Sequence, residues 1–376
     1  MNWRNTWAKL KARQKLVSVF RTAGLYLGAD ERPIYPRIRR VKLDETITEI
    51  TFTLPNGLDP KLIEKNAYIF RQFYGESIEL DGDDKQFMLT IYNAKMPSNL
   101  RYNADEIAPI VAKHKLGVIC GKDRNGQYVA FDLTKQPHIL IAGETGSGKS
   151  TQLRSILTTL IAAKKPSEMH LFLADCKKSE FHIFRKVEHV QCVFSNPADI
   201  RRMLLRIKRE LDERSDLTEV FEVGHIDDLP AEQRRPYIVV CIDEFVMLRK
   251  DEEIMDVLTE IVAIGRTLGV FAILSMQRPN AQVLDTTIRA NLTVSMGFKL
   301  RDRVEARIVN TPGAERTEVS GRFIMNADKI TELQAPYLSM DDAKELLAPY
   351  MVAKEEKAVS VDPKTIELTE EDVFNE

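Results

Sequence analysis

This chain of 376 residues shows two successive patterns of apolar and polar positions. In residues 47–52 and 87–92 apolar and polar side chains alternate, as in half-buried strands, and residues 60–73 carry apolar positions at helical spacing. From residue 116 onward the pattern changes to short, wholly apolar runs separated by helical segments. Runs of this kind are typical of parallel strands that helices cover on both faces.

The second pattern predicts an α/β domain with a parallel sheet. A hairpin over residues 118–131 leads into the apolar run 138–142. Because helical segments separate the later runs, right-handed crossovers between parallel strands are expected. Further strands are predicted at residues 169–174, 191–194, 237–242, 270–275 and 292–298.

The patterns divide the chain into four predicted regions. They are a basic N-terminal helical segment (residues 1–40), a small α+β domain (41–115), the α/β domain (116–340) and an acidic C-terminal tail (341–376). In the small domain, residues 81–84 predict a hairpin turn rather than a calcium loop, because the spaced ligands of such a loop are missing. The composition of the tail predicts disorder.

The basic N-terminal segment has its own apolar pattern. Trp3, Trp7 and Leu10 recur at the spacing of one helix face, and cations surround them. An interfacial membrane helix or a nucleic-acid-binding arm has this composition. We favour an ordinary helix that packs its two tryptophans on a neighbouring element.

Composition limits the classes of function. The formal net charge of −2 argues against a surface that is basic throughout, so any contact with a polyanion must be local. The cysteines at positions 120, 176, 192 and 241 have no metal-binding or redox spacing, which predicts free thiols in a reducing compartment. No apolar run approaches the roughly 20 residues that span a bilayer, and no signal peptide is recognised. We expect a cytoplasmic location and leave open an association with the membrane through a partner.

The strongest chemical signal is a glycine-rich loop between an apolar run and a helical segment. Its sequence, Gly-Glu-Thr-Gly-Ser-Gly-Lys-Ser from residue 143, has the form of a phosphate-binding P-loop. The glycines let backbone N–H groups turn toward a phosphate, and the helix N-terminus adds positive potential. The predicted nucleotide-binding residues are Gly143, Glu144, Thr145, Gly146, Ser147, Gly148, Lys149, Ser150 and Thr151.

A second signal is the apolar run 237–242, which ends in Asp243 and Glu244. A buried strand that ends in acid supplies the magnesium partner of a P-loop, so we predict ATP and Mg²⁺ as ligands. Ser150 and Asp243 are the predicted metal ligands. Lys149 is expected to contact the β- and γ-phosphates, and Glu244 to polarise the attacking water.

These motifs, together with three further segments, resemble the motor domain of FtsK/SpoIIIE DNA translocases. The resemblance covers about residues 116–325, and the motifs follow the order and spacing of that family. It implies a RecA-like P-loop ATPase domain with a parallel sheet flanked by helices. The further segments are Gly121-Lys122-Asp123, Ile264-Gly265-Arg266 and Gln277-Arg278-Pro279.

The resemblance implies ATP-driven translocation of double-stranded DNA by a homo-oligomeric ring, expected to be a hexamer. Arg266 matches the arginine finger that reaches the neighbouring subunit's γ-phosphate, and Gln277 matches the polar sensor of that phosphate. The basic positions that match DNA-contacting pore loops are Arg278, Arg289, Arg303 and Arg307.

The layout around residues 35–102 is similar to the short FtsK-type proteins of Gram-positive plasmids and integrative conjugative elements. That similarity leaves a second hypothesis open. In it, the protein is a conjugative coupling or scaffold protein that uses ATP as a switch and docks DNA–protein complexes to a channel. Its partners would be relaxosome or membrane channel proteins. Hydrolysis that DNA stimulates is expected of a translocase and is not required of a coupling protein.

Overall fold

The computed structural model describes residues 3–28, 32–44, 47–75, 77–92, 96–280, 284 and 286–352. The first part of the chain forms a four-stranded antiparallel sheet in the order β1-β2-β4-β3, with helices packed against it. Its elements are α1 (Trp3–Thr22), β1 (Arg37–Leu43), β2 (Ile47–Thr53), α2 (Lys61–Lys65), α3 (Ala67–Tyr74), β3 (Ile78–Gly82) and β4 (Gln86–Tyr92).

Helix α1 belongs to this small α+β unit and is not a separate segment. Its side chains Leu16, Val19 and Phe20 are fully buried in one core with the sheet and α3. The Phe20 ring lies 5.0 Å from the Phe52 ring and 6.4 Å from the Phe70 ring. The predicted boundary between residues 40 and 41 therefore falls inside β1, because α1 needs the sheet to bury its apolar face.

The expectation that the N-terminal tryptophans pack on a neighbour is wrong. Trp3 is 88% exposed, Trp7 60% and Leu10 53%. The helix packs through its C-terminal half, where a different set of apolar positions faces the sheet. Helical spacing showed that the three side chains share a face, but it could not show which face is covered.

The rest of the chain is built around a ten-stranded sheet. Its strands are β5 (Gly117–Lys122), β6 (Tyr128–Asp132), β7 (Ile139–Ala142), β8 (Met169–Asp175), β9 (Val190–Phe194), β10 (Tyr237–Asp243), β11 (Val270–Met276), β12 (Val294–Gly297), β13 (Arg322–Asn326) and β14 (Ile330–Gln334). Its helices are α4 (Ala104–Val111), α5 (Lys149–Ala163), α6 (Pro197–Val220), α7 (Glu252–Leu268), α8 (Thr286–Asn291), α9 (Arg303–Ile308) and α10 (Met340–Leu347).

The order of the large sheet is β6-β5-β14-β13-β12-β7-β11-β10-β8-β9. From β12 to β9 the neighbouring strands are parallel, and from β6 to β12 they are antiparallel. The fold class predicted from the sequence is confirmed, and the predicted hairpin and apolar runs coincide with β5 to β12. Strands β13 and β14 were not predicted; they add an antiparallel hairpin between β5 and β12.

Two further boundaries of the large unit differ from those predicted. Helix α4 buries Ile107 and Val111 against Ile119 of β5, so residues before 116 already belong to this unit. At the other end, Leu347 of α10 is fully buried in the core that covers α5, and Met351 forms a β-bridge with Val187. The folded part therefore continues past residue 340, and residues 353–376 of the predicted tail lie outside the described residues.

Apolar cores cover both faces of the large sheet. One contains the apolar side of α5 together with α10, and the other contains α6, α7 and α8. Strands β7, β10 and β11 lie side by side in the parallel part, and every residue of β7 and β11 is buried. Their carboxyl ends therefore meet at one edge of a rigid support, which is where ligands bind in sheets of this type. Among the helices of the described residues, none combines the length and hydropathy needed to span a bilayer.

Candidate nucleotide site

The glycine-rich loop connects β7 to α5, as predicted. Two of its glycines have backbone angles that favour glycine, with φ of 80° at Gly146 and 109° at Gly148. A Cβ atom on Gly148 would lie 2.8 Å from the Cα atom of Gly321, so the loop also needs glycine for close approach. Both requirements explain why a small, permissive residue stands at position 148.

The loop is held in place by a second segment. The Gly321 N–H donates to the Ser147 carbonyl at 2.8 Å, and the Ser320 hydroxyl donates to the Gly146 carbonyl at 3.2 Å. Within the loop, the Ser147 hydroxyl donates to the Glu144 carbonyl at 2.7 Å. The N–H groups of Gly143, Glu144 and Ser147 already donate to backbone carbonyls. The other N–H groups of the loop and the N-terminus of the 15-residue α5 are its donors for an anion.

A buried polar cluster lies directly below the loop. The Lys149 ammonium donates to Asp243 Oδ1 at 3.1 Å and to Ser275 Oγ at 2.7 Å, and the Ser275 hydroxyl donates to the same Asp243 oxygen at 2.7 Å. The exposed fractions of the three residues are 4%, 2% and 0%. Because charge interactions strengthen away from water, this arrangement concentrates a cation and an anion at the strand ends.

Glu244 follows in a left-handed backbone conformation, with φ of 58°. Such a conformation is uncommon for a residue other than glycine. Its carboxylate accepts one hydrogen bond from the Lys177 ammonium at 2.9 Å and one from the Gln277 N–H at 3.1 Å, and it lies 4.0 Å from the Lys149 ammonium. The turn thereby brings Glu244 beside Lys149 instead of leaving it in line with the strand.

The loop borders a cavity of about 540 Å³, and Lys149 is the member of the cluster that lines it. This volume lies in the usual range for small-molecule sites. The predicted site residues that line it are Glu144, Thr145, Gly146, Gly148, Lys149, Ser150, Thr151 and Gln277. Gly143 lies behind them, where a Cβ would come within 2.6 Å of Phe298 Cβ. The structure therefore brings the predicted phosphate-binding residues together.

The donor set fits a magnesium ion that shares its ligands with phosphate. In the described part of the chain no group of three or more His, Cys, Asp or Glu side chains is placed to hold a metal by itself. A hydroxyl and a carboxylate, as supplied by Ser150 and Asp243, are the protein ligands that Mg²⁺ has in P-loop sites, with phosphate oxygens completing its shell. The residues present thus fit Mg²⁺ only together with a nucleotide.

Arg266 is not part of this cluster. It lies near the C-terminus of α7, which ends at Gly269 with φ of 70°. The seven-residue strand β11 then runs from that helix end to the cluster, so roughly 20 Å separates the two. The Arg266 side chain is exposed, and among the described residues it has no recorded side-chain partner.

The end of α7 that carries Arg266 is firmly attached to the sheet. The fully buried guanidinium of Arg214 on α6 donates to the Leu268 carbonyl at 2.9 Å and to the Pro236 carbonyl at 2.7 Å. A Cβ on Gly265 would lie 2.3 Å from the Val270 carbonyl oxygen, so the helix approaches the strand closely. Arg266 therefore projects from a fixed support.

The four arginines predicted to contact DNA all have exposed side chains. Arg303 and Arg307 lie one turn apart on α9 and, with Arg316, line a cavity of about 430 Å³. Arg278 directly follows Gln277, and Arg289 lies on α8. Arg303 and Arg307 therefore share a pocket.

Sequence reasoning missed several residues at the site, including Lys177, Ser320 and Gly321. Lys177 follows β8, the parallel neighbour of β10, and a polar segment after a buried strand was the available signal for it. The contact of Ser320 and Gly321 with the loop had no comparable signal, because it depends on the unpredicted hairpin of β13 and β14.

The half-buried Cys176 also lies beside the site. Burial raises the pKa of its thiol to about 12, and the nearby carboxylates of Asp243, Asp175 and Glu244 act in the same direction. The thiol is therefore neutral at physiological pH and is a poor nucleophile. All four cysteines are free, as predicted.

Comparison with known proteins supports the assignment of the loop and sheet. Residues 108–232 match the FtsK/SpoIIIE family. A DNA translocase FtsK from Lactiplantibacillus plantarum is 30% identical over 357 residues, covering 89% of this chain and 44% of that protein. The Streptomyces avermitilis DNA translocase FtsK is 30% identical over 254 residues, covering 61% of this chain and 28% of that protein. The chain thus spans less than a third of the length of the Streptomyces relative.

Solved structures share the fold. The pCW3 conjugation coupling protein TcpA, in a monomer form with ATPγS, has a TM-score of 0.62 at 24% identity, covering 90% of this chain and 99% of that one. EssC (ATPases 2 and 3) from Geobacillus thermodenitrificans has a TM-score of 0.60 at 20% identity, covering 68% of this chain and 51% of that one. The chain therefore contains a domain of the FtsK/SpoIIIE family, built on the α/β fold of P-loop ATPases.

Proposed function

We propose that this protein hydrolyses ATP and uses the energy to move double-stranded DNA. The observation that carries the proposal is the buried cluster of Lys149, Asp243 and Ser275, with Glu244 beside it, at a cavity lined by the P-loop. The relatives named DNA translocases supply the second part of the proposal, since the match reaches 89% of this chain.

Each residue of the site has a role in this proposal. The Lys149 ammonium binds the β- and γ-phosphates, and the loop N–H groups hold the phosphate oxygens. Ser150 and Asp243 hold Mg²⁺, which when bound withdraws negative charge from the phosphate oxygens. Glu244 orients a water molecule and accepts its proton, and Gln277, whose N–H already contacts Glu244, lies at the same strand end to contact the γ-phosphate.

Arg266 would complete the site of a neighbouring subunit. Its exposed side chain and its distance from the cluster of its own chain exclude a role on the nucleotide bound there. A guanidinium is always charged and matches phosphate oxygens with a fork of donors, so it suits the transition state of phosphoryl transfer. A ring of subunits, with six as our proposal, would bring Arg266 of each subunit to the next.

The ring would grip DNA through the exposed cations Arg278, Arg289, Arg303 and Arg307. Contacts between arginine and phosphate carry no sequence information, which suits a motor that must move along any duplex. Local cations of this kind are compatible with the net charge of −2.

The test is the ATPase rate of the purified protein with and without linear duplex DNA, measured across salt concentrations. We expect stimulation by duplex that falls as salt rises, because each phosphate contact releases counterions. Arg303→Ala combined with Arg307→Ala should reduce both the stimulation and its salt dependence, whereas Lys61→Ala with Lys65→Ala on α2 is the matched control. The Lys149→Ala variant gives the background ATPase rate. An ATPase rate that duplex DNA does not change at any salt concentration would contradict the translocase proposal.

That result would favour a second candidate, a coupling protein that uses ATP as a switch. The observation in its favour is the fold shared with a conjugation coupling protein over 99% of that chain. In this case the partners would be relaxosome and membrane channel proteins. The protein would act in the cytoplasm and reach the membrane through those partners.

A further inference from the structure

Helix α1 has two apolar surfaces on opposite sides. Leu16, Val19 and Phe20 are buried in the small unit. Trp3, Trp7 and Leu10, called here the tryptophan face, point in a direction roughly 150° away around the helix axis at 3.6 residues per turn. The small unit that buries the first surface therefore cannot cover the second. The tryptophan face needs a separate occupant to leave water.

The charges around this face have a single sign. Lys11 and Arg13 flank it on its two sides, both with exposed side chains, and Lys9 precedes them on the same helix. No acidic residue occurs in α1, and among the described residues no ion pair joins its cations to a carboxylate. The Lys11 ammonium lies 3.5 Å from the centre of the Trp7 ring, so cation and indole form one continuous surface.

The chemistry of this surface selects its occupant. Transfer of tryptophan and leucine out of water is favourable in the interfacial layer of a membrane, because that layer takes up apolar side chains and also offers hydrogen-bond partners for an indole N–H. Lysine and arginine at the margin gain from negative charge, and their long stems let the cations remain in the headgroup layer. A nucleic acid would pair with the cations but would leave Leu10 and much of both indoles in water.

We propose that the tryptophan face of α1 binds the surface of a membrane that contains anionic lipid, with the helix lying in the plane of the interface. The inserted part is short, since residues 3 to 10 rise roughly 10 Å along the axis. Binding therefore depends on apolar burial and charge together, and is reversible. It would hold the small unit at the bilayer and leave the nucleotide site free.

The experiment uses a property of the whole chain, which contains only two tryptophans, both on this face. Tryptophan emission of the full-length protein is measured while vesicles of phosphatidylcholine with phosphatidylglycerol are added, and again with pure phosphatidylcholine. We expect a shift to shorter wavelength with the anionic vesicles alone, reversed by salt. Vesicles with brominated acyl chains should quench the same emission.

Variants separate the charge from the apolar part. Lys9→Gln with Lys11→Gln and Arg13→Gln should lower partitioning about 100-fold, from about fivefold for each cation near an anionic surface. The matched control removes three exposed cations of the same unit, Lys61→Gln, Lys65→Gln and Lys85→Gln, and should bind like the parent. Leu10→Ser, read by the same emission, and Trp3→Ser with Trp7→Ser, read by co-sedimentation, should both lose binding.

Three results would overturn the proposal. One is emission that does not change with anionic vesicles, and another is an equal shift with neutral vesicles, which would remove the role of the cations. The third is a shift caused by duplex DNA, or by raising the protein concentration without lipid. That result would assign the face to a nucleic acid or to a second copy of the chain. Circular dichroism of each variant shows that the fold is retained.

Discussion

Polar residues at the two ends of the same parallel strands differ in burial and in hydrogen bonding. At the carboxyl ends of β10 and β11, Asp243 and Ser275 are buried and bonded to Lys149, and Glu244 is bonded to Lys177 and Gln277. At the amino end of β11, Arg266 stands exposed at the end of α7. The carboxyl ends hold side chains that are bonded to one another, whereas Arg266 is exposed and has no such partners.

The difference shows where a site can be understood from one chain and where it cannot. Buried groups that satisfy one another are preorganised, so the chemistry of the carboxyl end follows from its own geometry. A fixed but exposed arginine gains its role from whatever docks beside it. Three changes test this comparison, from the largest expected effect to the smallest.

The first change is Arg266→Ala. Because an arginine finger contributes roughly 10³-fold or more to turnover, we expect the ATPase rate to fall by about that factor while nucleotide binding to the isolated chain persists. Mixing this variant with Lys149→Ala should restore part of the rate, since some interfaces then combine an intact P-loop with an intact Arg266. Arg209→Ala, on the exposed side of α6, is the matched control. If the mixture were no more active than either variant alone, Arg266 would not act in the site of a neighbouring subunit, and the comparison between the two strand ends would fail.

The second change is Glu244→Gln, which acts at the carboxyl end alone. The amide oxygen still accepts from the Gln277 N–H, but the side chain can no longer take a proton from water. We therefore expect hydrolysis to fall by about 100-fold with little change in ATP affinity, measured by single-turnover hydrolysis and by equilibrium binding. Glu252→Gln, exposed at the start of α7, controls for loss of charge. Hydrolysis at the parent rate would mean that Glu244 is not the base.

The same comparison explains what the sequence could predict. The P-loop and the Asp243-Glu244 pair were found because each is contiguous and follows a buried strand, so its position at the carboxyl edge follows from the fold class. Lys177 and Gly321 were missed because their contacts depend on strand order, which places β8 beside β10 and adds the β13–β14 hairpin. Local pattern does not encode which strands become neighbours.

A similar reason explains the wrong expectation at α1. The spacing of Trp3, Trp7 and Leu10 identified one face of a helix correctly, but burial depends on the position of the sheet, which was not known. The later part of the same helix packs against the sheet instead, through Leu16 and Phe20. Periodicity therefore predicts that a face is apolar, and only tertiary structure shows whether the fold itself covers it.

The third change concerns His138, at the amino end of β7. Its ring is buried, Nδ1 accepts the Ala272 N–H at 3.1 Å, and Nε2 has no partner among the described residues. Burial lowers the pKa of His138 from 6.5 to about 4. Between these two values the unfolded chain binds a proton that the folded chain does not, so the free energy of unfolding falls as pH drops through this range, by up to about 3 kcal/mol.

His138→Asn should remove this dependence without breaking the turn. The residue has φ of 61°, which asparagine tolerates, and the amide oxygen can accept the Ala272 N–H in place of Nδ1. Urea unfolding at pH 7 and pH 4.5 should show a smaller loss of stability in the variant than in the parent, with His182→Asn, an exposed histidine, as the control. Equal losses in parent and variant would show that acid sensitivity lies elsewhere. A smaller loss in the variant would show that the buried His138 ring, at the amino end of β7, causes part of the acid sensitivity.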